Sequence, residues 1–454
     1  MRAVPEEFIV FLLGRDSEVN SGSKPTIDAV LVSRLLLTEN PTQTRIASCY
    51  PSIQVPSRSR VVEHHAALRT LLLPSRSNPA QMLHIVLKES FDAVEVLTNI
   101  DDAIISEIAG RPRLSSCNQE GLPYKFTVFQ STTGRVLCKL EGRYAFLDAT
   151  SVIMLLTDLR RSLQGVPLAD VAACPYSSWV SYQQSWAKDP SHLHFWDHYL
   201  ANLHPCMLAG TFAHDSNGPL LRGQNHERKA ATRGFRPQMR SHRQTLLQDT
   251  RALREWCDQR RLTIINVIQV AWALVLSEQT GRDDVCFGAL VSGRDAPVPH
   301  IGRMVGSFFN VLACRIVLQS GPDHQVLNHV LQASHRSLGE RASHQFCSLS
   351  EVTRRVLGGK ESGAPSSLFN TCLSVEQPLT DQTEPIDSFF RVLETVEETE
   401  YDMVVAATVL SDRIEAHLMF WDSFCDAARA ADLGGALARA VERIMVCDGM
   451  GLGA

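Results

Sequence analysis

Apolar residues recur at helical spacing in the second half of the chain. Ile265, Ile268, Ala271, Trp272 and Val275 mark one face of a helix that Thr263 can cap and Gly281 can end. Asp249 can cap a shorter helix running through Arg260, and further helices are predicted at His324 to Leu338 and Phe424 to Val446. Strand patterns fall at Val285 to Val291, Val311 to Leu318 and Leu368 to Val375. Met403 to Leu410 and Ile414 to Trp421 read as a hairpin around Ser411-Asp412. In the first half, Val61 to Thr70 reads as a helix that ends and delivers the strand Leu71-Leu72-Leu73. Strand signals follow at Leu83 to Leu87, Tyr124 to Gln130 and Arg135 to Leu140, with helical stretches at Asp101 to Ile108 and Ser151 to Leu159. Two aromatic-rich helices are expected at Trp179 to Trp186 and His192 to Leu200, and a polar loop at Ala213 to His242. Residues 1–60 carry no motif, although Thr26 to Thr38 is long enough for a helix or a strand. Antiparallel-style strands mixed with single helices predict an α+β fold.

The chain has 454 residues, more than one hydrophobic core accommodates. The Pro-containing connection Gly165 to Tyr176 is the expected boundary, giving lobes of residues 1–175 and 176–454. A net charge of -5 and a pI near 6.3 supply no global basic field for nucleic acid or an anionic membrane. The basic patch Arg222 to Arg243 sits in a stretch that reads as a solvated loop. The apolar run Phe8 to Leu13 is too short to span a bilayer. Twelve cysteines are scattered without a Cys-x-x-Cys pair, so reduced, buried thiols in a cytoplasmic protein are expected, and no spacing suggests a metal site.

One joint is the natural place for chemistry: Glu141 to Thr150, between a predicted strand and a predicted helix. A tyrosine, Tyr144, stands there where a base would be wanted. Beyond this joint, five segments in order resemble the condensation domains of nonribosomal peptide synthetases, with a fungal flavour. They are His64-His65-Ala66-Ala67-Leu68-Arg69-Thr70, Phe195-Trp196-Asp197-His198-Tyr199-Leu200, Thr280 to Gly288, Ser292-Gly293-Arg294-Asp295, and Val305 to Asn310. The resemblance runs from about Val61 to Val446. It implies two lobes related to chloramphenicol acetyltransferase, arranged in a V around an active-site tunnel. It further implies acyl or peptidyl carrier protein domains as partners, a small-molecule acyl acceptor, and no cofactor beyond a phosphopantetheine-linked substrate.

The family signature His-His-x-x-x-Asp-Gly falls on Arg143 to Ala149, where only the aspartate is kept. The resemblance therefore makes Tyr144 and Asp148 the candidate catalytic positions. It pairs Asp148 with Arg294 across the lobes as a structural anchor, and it places Arg143, Ala149, Ser292, Gly306 and Asn310 along the substrate path. A phenol with a reference pKa near 10 hydrogen-bonds a nucleophile but is a poor base at pH 7. Losing general-base help costs about 10² to 10⁴ in rate. Positioning alone still accelerates attack on an activated thioester.

Two readings follow: an acyl-transfer enzyme with altered chemistry, or a condensation-like module that docks a carrier protein or partner synthetase without turnover. A free-standing alcohol acyltransferase would need His-x-x-x-Asp and Asp-Phe-Gly-Trp-Gly segments, and the chain has neither. Outside the joint, simpler expectations hold. His64 and His65 cap carbonyls or face solvent, Arg69 makes a structural contact, Asn310 and Gly306 form a strand-entry turn, and Trp196 and Tyr199 fill the packing between lobes.

Overall fold

The computed structural model describes residues 7–14, 60–74, 82–88, 94–101, 103–104, 124–133, 136–144, 146–163, 165–168, 175–211, 237–318, 324–358, 367–376, 390–397 and 399–446. The expectations for residues 16–38 and 51–59, and for most of the loop at 213–242, lie outside them.

The chain divides into two compact units, and a single cut near residue 175 does not reproduce the division. The first unit takes Met1–Tyr182, Arg294–Phe308 and Asp381–Glu398; the second takes Gln183–Gly293, Phe309–Thr380 and Thr399–Ala454.

In the first unit, strands β1 (Glu7–Gly14), β4 (Val94–Ile100), β5 (Tyr124–Ser131), β6 (Val136–Arg143) and β11 (Phe390–Glu397) form one sheet in the order β11-β1-β6-β5-β4. All its pairings are antiparallel except β4 with β5. Alternation explains the sheet's core face. Tyr124, Phe126 and Val128 on β5, and Val136, Cys138 and Leu140 on β6, all enter the same core. Helix α2 (Ala149–Leu163) covers that face with Val152, Leu155, Leu156 and Leu159, a spacing that keeps one stripe inward. Lys139 and Glu141 point to the other face of β6 and are buried as an ion pair at 2.8 Å. The short helix α1 (Arg60–His64), a 3-10 turn at Ala66–Arg69, and a separate hairpin of β2 (Thr70–Pro74) and β3 (Met82–Val86) complete the described part of this unit up to α3 (Tyr176–Trp186).

The second unit holds a six-stranded sheet in the order β7-β13-β12-β10-β8-β9. Its strands are β7 (Met239–Leu247), β8 (Asp284–Val291), β9 (Asn310–Val317), β10 (Thr371–Glu376), β12 (Met403–Val409) and β13 (Ile414–Trp421). β10 pairs in parallel with both β8 and β12, so the sheet is mixed rather than antiparallel. The expected hairpin is present as β12 and β13, whose alternate residues are buried along their whole length.

The caps also stand where the sequence places them. The side chain of Asp249 accepts from Ala252 N to start α5 (Thr250–Arg260), and Thr263 accepts from Asn266 N to start α6 (Ile264–Thr280). Gly281 closes α6 in the left-handed conformation at φ 66°. α6 is apolar nearly all round because it lies inside the unit, touching α5, α7 (His324–Ser343), α9 (Ala427–Val446), β8 and β10. α4 (Pro190–Tyr199) and α8 (Leu349–Val356) pack together in the same unit.

Where a loop was expected up to His242, strand β7 already begins at Met239, so Arg240 and Arg243 of the basic patch lie on a sheet. Among the described strands its residues pair with β13 on one side only, and an edge strand tolerates the polar sequence that hid it. No single described helix is long and apolar enough to cross a membrane.

Candidate functional site

The joint between β6 and α2 is built from the backbone outward. Gly142, one residue before the end of β6, pairs with Phe8 on β1 and with Tyr124 on β5, so the turn leaves a strand held on both sides. Asp148 then starts α2: its Oδ1 accepts from Ser151 N at 2.7 Å, satisfying a first-turn donor. Asp148 N donates to Gly306 O at 3.1 Å. The fully buried Ser151 hydroxyl donates to the same carbonyl at 2.7 Å and accepts from Gly306 N at 2.9 Å. The turn is thereby locked to the segment Arg294–Phe308.

Arg294 completes the lock with all five of its N–H groups. Nε and Nη2 reach the Asp148 carboxylate at 2.8–3.1 Å, and Nη2 also reaches Ser151 Oγ at 2.9 Å. Nη1 donates to the carbonyls of Ile301 and Met304 at 2.9 and 3.0 Å. A bidentate guanidinium–carboxylate pair of this kind is both strong and geometrically specific. Both Asp148 oxygens are engaged, which removes the open face a general base requires. The side chain is an anchor. The pair also lies inside the first unit, since Arg294–Phe308 packs there, and it does not bridge two lobes as expected.

Next to this anchor is an aromatic cluster that sequence reasoning missed. Tyr176 donates to Ser307 O at 2.6 Å, its ring stands edge-on to Phe308 at 5.3 Å, and Phe308 in turn meets Trp179 at 5.4 Å. The Arg294 guanidinium lies 4.3 Å over the Phe308 ring. Burial pushes the Tyr176 hydroxyl up to about 12, partly opposed by its bond to the Ser307 carbonyl. Gly306 sits against the Tyr176 ring so closely that any Cβ would collide with it. From the β2–β3 hairpin, His84 stacks on Tyr176 at 5.6 Å, and burial lowers its pKa. The signal available for these residues was the Pro-Tyr-Ser-Ser-Trp run at 175–179, which reads only as an aromatic helix start.

The remaining candidates are dispersed. Tyr144 lies in the turn, half-buried, with its ring packed against the first unit's core. Arg143 is the last residue of β6, and Ala149 is exposed at the first position of α2. Ser292, exposed just after β8, and Asn310, at the start of β9, belong to the second unit. The Asn310 amide is spent on the carbonyls of Gln345 and Cys347 at 2.7 and 2.9 Å. Arg69 is structural, donating to the carbonyls of Val62, Glu63 and Leu87. His65, expected to cap a helix or face solvent, is instead buried with Nε2 at 2.8 Å from Asp158 Oδ2. Trp196 is core of the second unit itself, with Nε1 donating to His344 O at 3.1 Å. Tyr199 donates to Arg315 O within that unit.

An α+β chain with a strand-turn-helix joint clamped by an Asp–Arg pair is what the resemblance to condensation domains implied. The model of the Condensation domain family matches residues 57–445, and the chain belongs to that family. It is similar to the nonribosomal peptide synthetase rstn8 of Penicillium ochrochloron, 56% identical over 388 residues, covering 85% of this chain and 19% of the synthetase. It is also similar to the synthase roqA of Penicillium rubens, 30% identical over 424 residues, covering 90% of this chain and 17% of roqA. The chain thus spans about a fifth of the length of these relatives. Among solved structures, the condensation domain of the monacolin K polyketide synthase MokA has the same fold, with a TM-score of 0.68 at 14% identity over 97% of this chain and 92% of that one. The X-domain in its complex with OxyB from teicoplanin biosynthesis gives 0.67 at 16% identity, over 98% and 89%.

Proposed function

We propose that this chain carries out condensation-type acyl transfer in fungal secondary metabolism. The acyl group is held as a thioester on the phosphopantetheine arm of a carrier protein domain, and the acceptor is the amine or hydroxyl of a small molecule. One observation carries the reading: the signature turn is braced by Asp148, Arg294, Ser151 and Gly306, with Tyr144 standing in that turn. In the reaction the acceptor nitrogen or oxygen bonds to the thioester carbonyl carbon, the C–S bond breaks, and the acceptor's proton leaves as the pantetheine thiol forms. Tyr144 would hydrogen-bond the nucleophile rather than deprotonate it, so the rate comes from positioning. No cofactor enters this chemistry. The eight described cysteines are free and buried, which supports a reducing, cytoplasmic setting.

A second reading is a docking module without turnover. The packing of the Tyr144 ring onto the core favours it, as does the fold shared with the X-domain, which was solved in complex with OxyB. Incubating the chain with acyl-pantetheine and panels of amines and alcohols separates the two. Enzyme-dependent product, reduced in Tyr144→Phe, supports acyl transfer. Measurable carrier-protein binding with no product from any acceptor replaces it by docking.

A further inference from the structure

His64, His65 and Asp158 are brought together from distant parts of the sequence. His64 ends α1, His65 follows it, and Asp158 lies on α2, 93 residues after His65. Their ligand atoms, two imidazole nitrogens and a carboxylate oxygen, all lie within 4.8 Å of one another. His65 is buried, and its Nε2 is 2.8 Å from Asp158 Oδ2, whose side chain is only 13% exposed. The His64 ring stands edge-on to that of His65, centroids 4.8 Å apart at 89°. All three residues belong to the first unit.

We infer that these three side chains form a binding site for a divalent transition metal of the zinc type. Two imidazoles and one carboxylate are a donor set that suits Zn²⁺, and three protein ligands leave one tetrahedral place for water. His64 is the half-buried member of the three. Zn–N and Zn–O bonds of about 2.0–2.2 Å hold tetrahedral donors roughly 3.4 Å apart, so small side-chain rotations close the set around an ion. A His65–Asp158 hydrogen bond on its own needs two of the residues; the second imidazole within the same 4.8 Å makes the group a chelate. Asp158 follows Asp148 by ten residues on α2, about 15 Å along the axis. The metal therefore acts as a clip on the far part of the helix whose first turn carries the signature anchor, and it takes no part in acyl transfer. Rules that read short ligand spacings do not find a set divided between two elements this far apart in sequence.

The test uses the tag-free 454-residue chain, stripped with a chelator and titrated with Zn²⁺ by calorimetry and with Co²⁺ by visible absorption. The expected result is one equivalent bound with a tetrahedral-type Co²⁺ spectrum and a rise in melting temperature on adding Zn²⁺. His64→Gln, at the half-buried position, should keep the fold by circular dichroism and weaken binding at least tenfold. Asp158→Asn should abolish it, and His344→Ala, which removes a separate histidine contact, should leave it unchanged. Absence of binding by the folded wild-type chain overturns the proposal. So does binding that survives unchanged in His64→Gln. Neither result bears on acyl transfer, because neither readout uses it.

Discussion

The rings of His192 and His344 meet through a single hydrogen bond, Nδ1 to Nδ1, at 2.8 Å. Such a bond needs one N–H and one lone pair, so it cannot survive when both rings are cations. Trp186 stacks on His192 at 3.3 Å, and Phe195 stacks on His344 at 4.1 Å, which fixes both rings face-on to aromatics. Burial lowers both pKa values from the ordinary 6.5, with neighbouring Asp189 opposing the shift at both rings and Glu340 at His344.

The folded form therefore prefers neutral rings, and the unfolded chain binds more protons below pH 6.5. Stability from this pair is complete above 6.5 and is lost as pH falls through the lower folded-state values. Melting temperatures between pH 7.5 and 5 should fall less steeply in His192→Phe, which keeps a flat ring against Trp186 and carries no proton. Equal slopes in the two proteins would show that the pair is not the sensor.

Asp148→Asn should cost about 3–5 kcal/mol, because it strands a guanidinium whose side chain is only 10% exposed. The double variant with Arg294→Met should cost clearly less than the sum of the singles. Urea unfolding of the four proteins measures this coupling, and simple additivity would mean that the pair is not a unit.

Gly306→Ala should destabilise by about 1–3 kcal/mol, since the new methyl group meets the Tyr176 ring. A smaller side chain at Tyr176 should recover part of that loss. If Tyr176→Ser gives no relief, the cost lies in the backbone of Gly306 and not in the ring.

The cysteines give a chemical check. Burial pushes the thiols of Cys138, Cys257 and Cys425 up to about 12 and that of Cys347 up to about 11. At pH 8 in native buffer these four should stay silent to a disulfide reagent read by mass mapping, and should react fully in denaturant. Rapid native labelling of any of them would contradict the burial.

Local chemistry was legible in the sequence, and long-range pairing was not. Asp249, Thr263 and Gly281 announce helix ends because each cap acts within a turn of itself. The β12–β13 hairpin is legible because alternation and a polar turn sit side by side. Strand β1 was visible only as an apolar run, since its identity depends on partners near residues 140 and 395. β7 carries Arg, Ser, His and Gln at a sheet edge, where no apolar pattern is imposed. At the site, the Asp148–Arg294 pair was reached through resemblance; its members are 146 residues apart, beyond any spacing rule. Ser151 and Tyr176 had no such help, because a hydroxyl that bridges backbone and a ring that brackets a glycine leave no periodic trace.

The pairing of β1 with β11 sets the order in which this molecule can be finished. Phe8 lies opposite Glu397 and Gly14 opposite Phe390, so this edge of β1 is left unpaired until the chain has reached residues 390–397. Closing so long a loop is entropically costly and slow, and until then the nascent sheet presents an open hydrogen-bonding edge of the kind that recruits other chains. A fragment stopped at residue 175 would carry that exposed edge permanently, and would also lack the arginine that neutralises Asp148. The first half of the polypeptide is thus dependent on the second for its own completion.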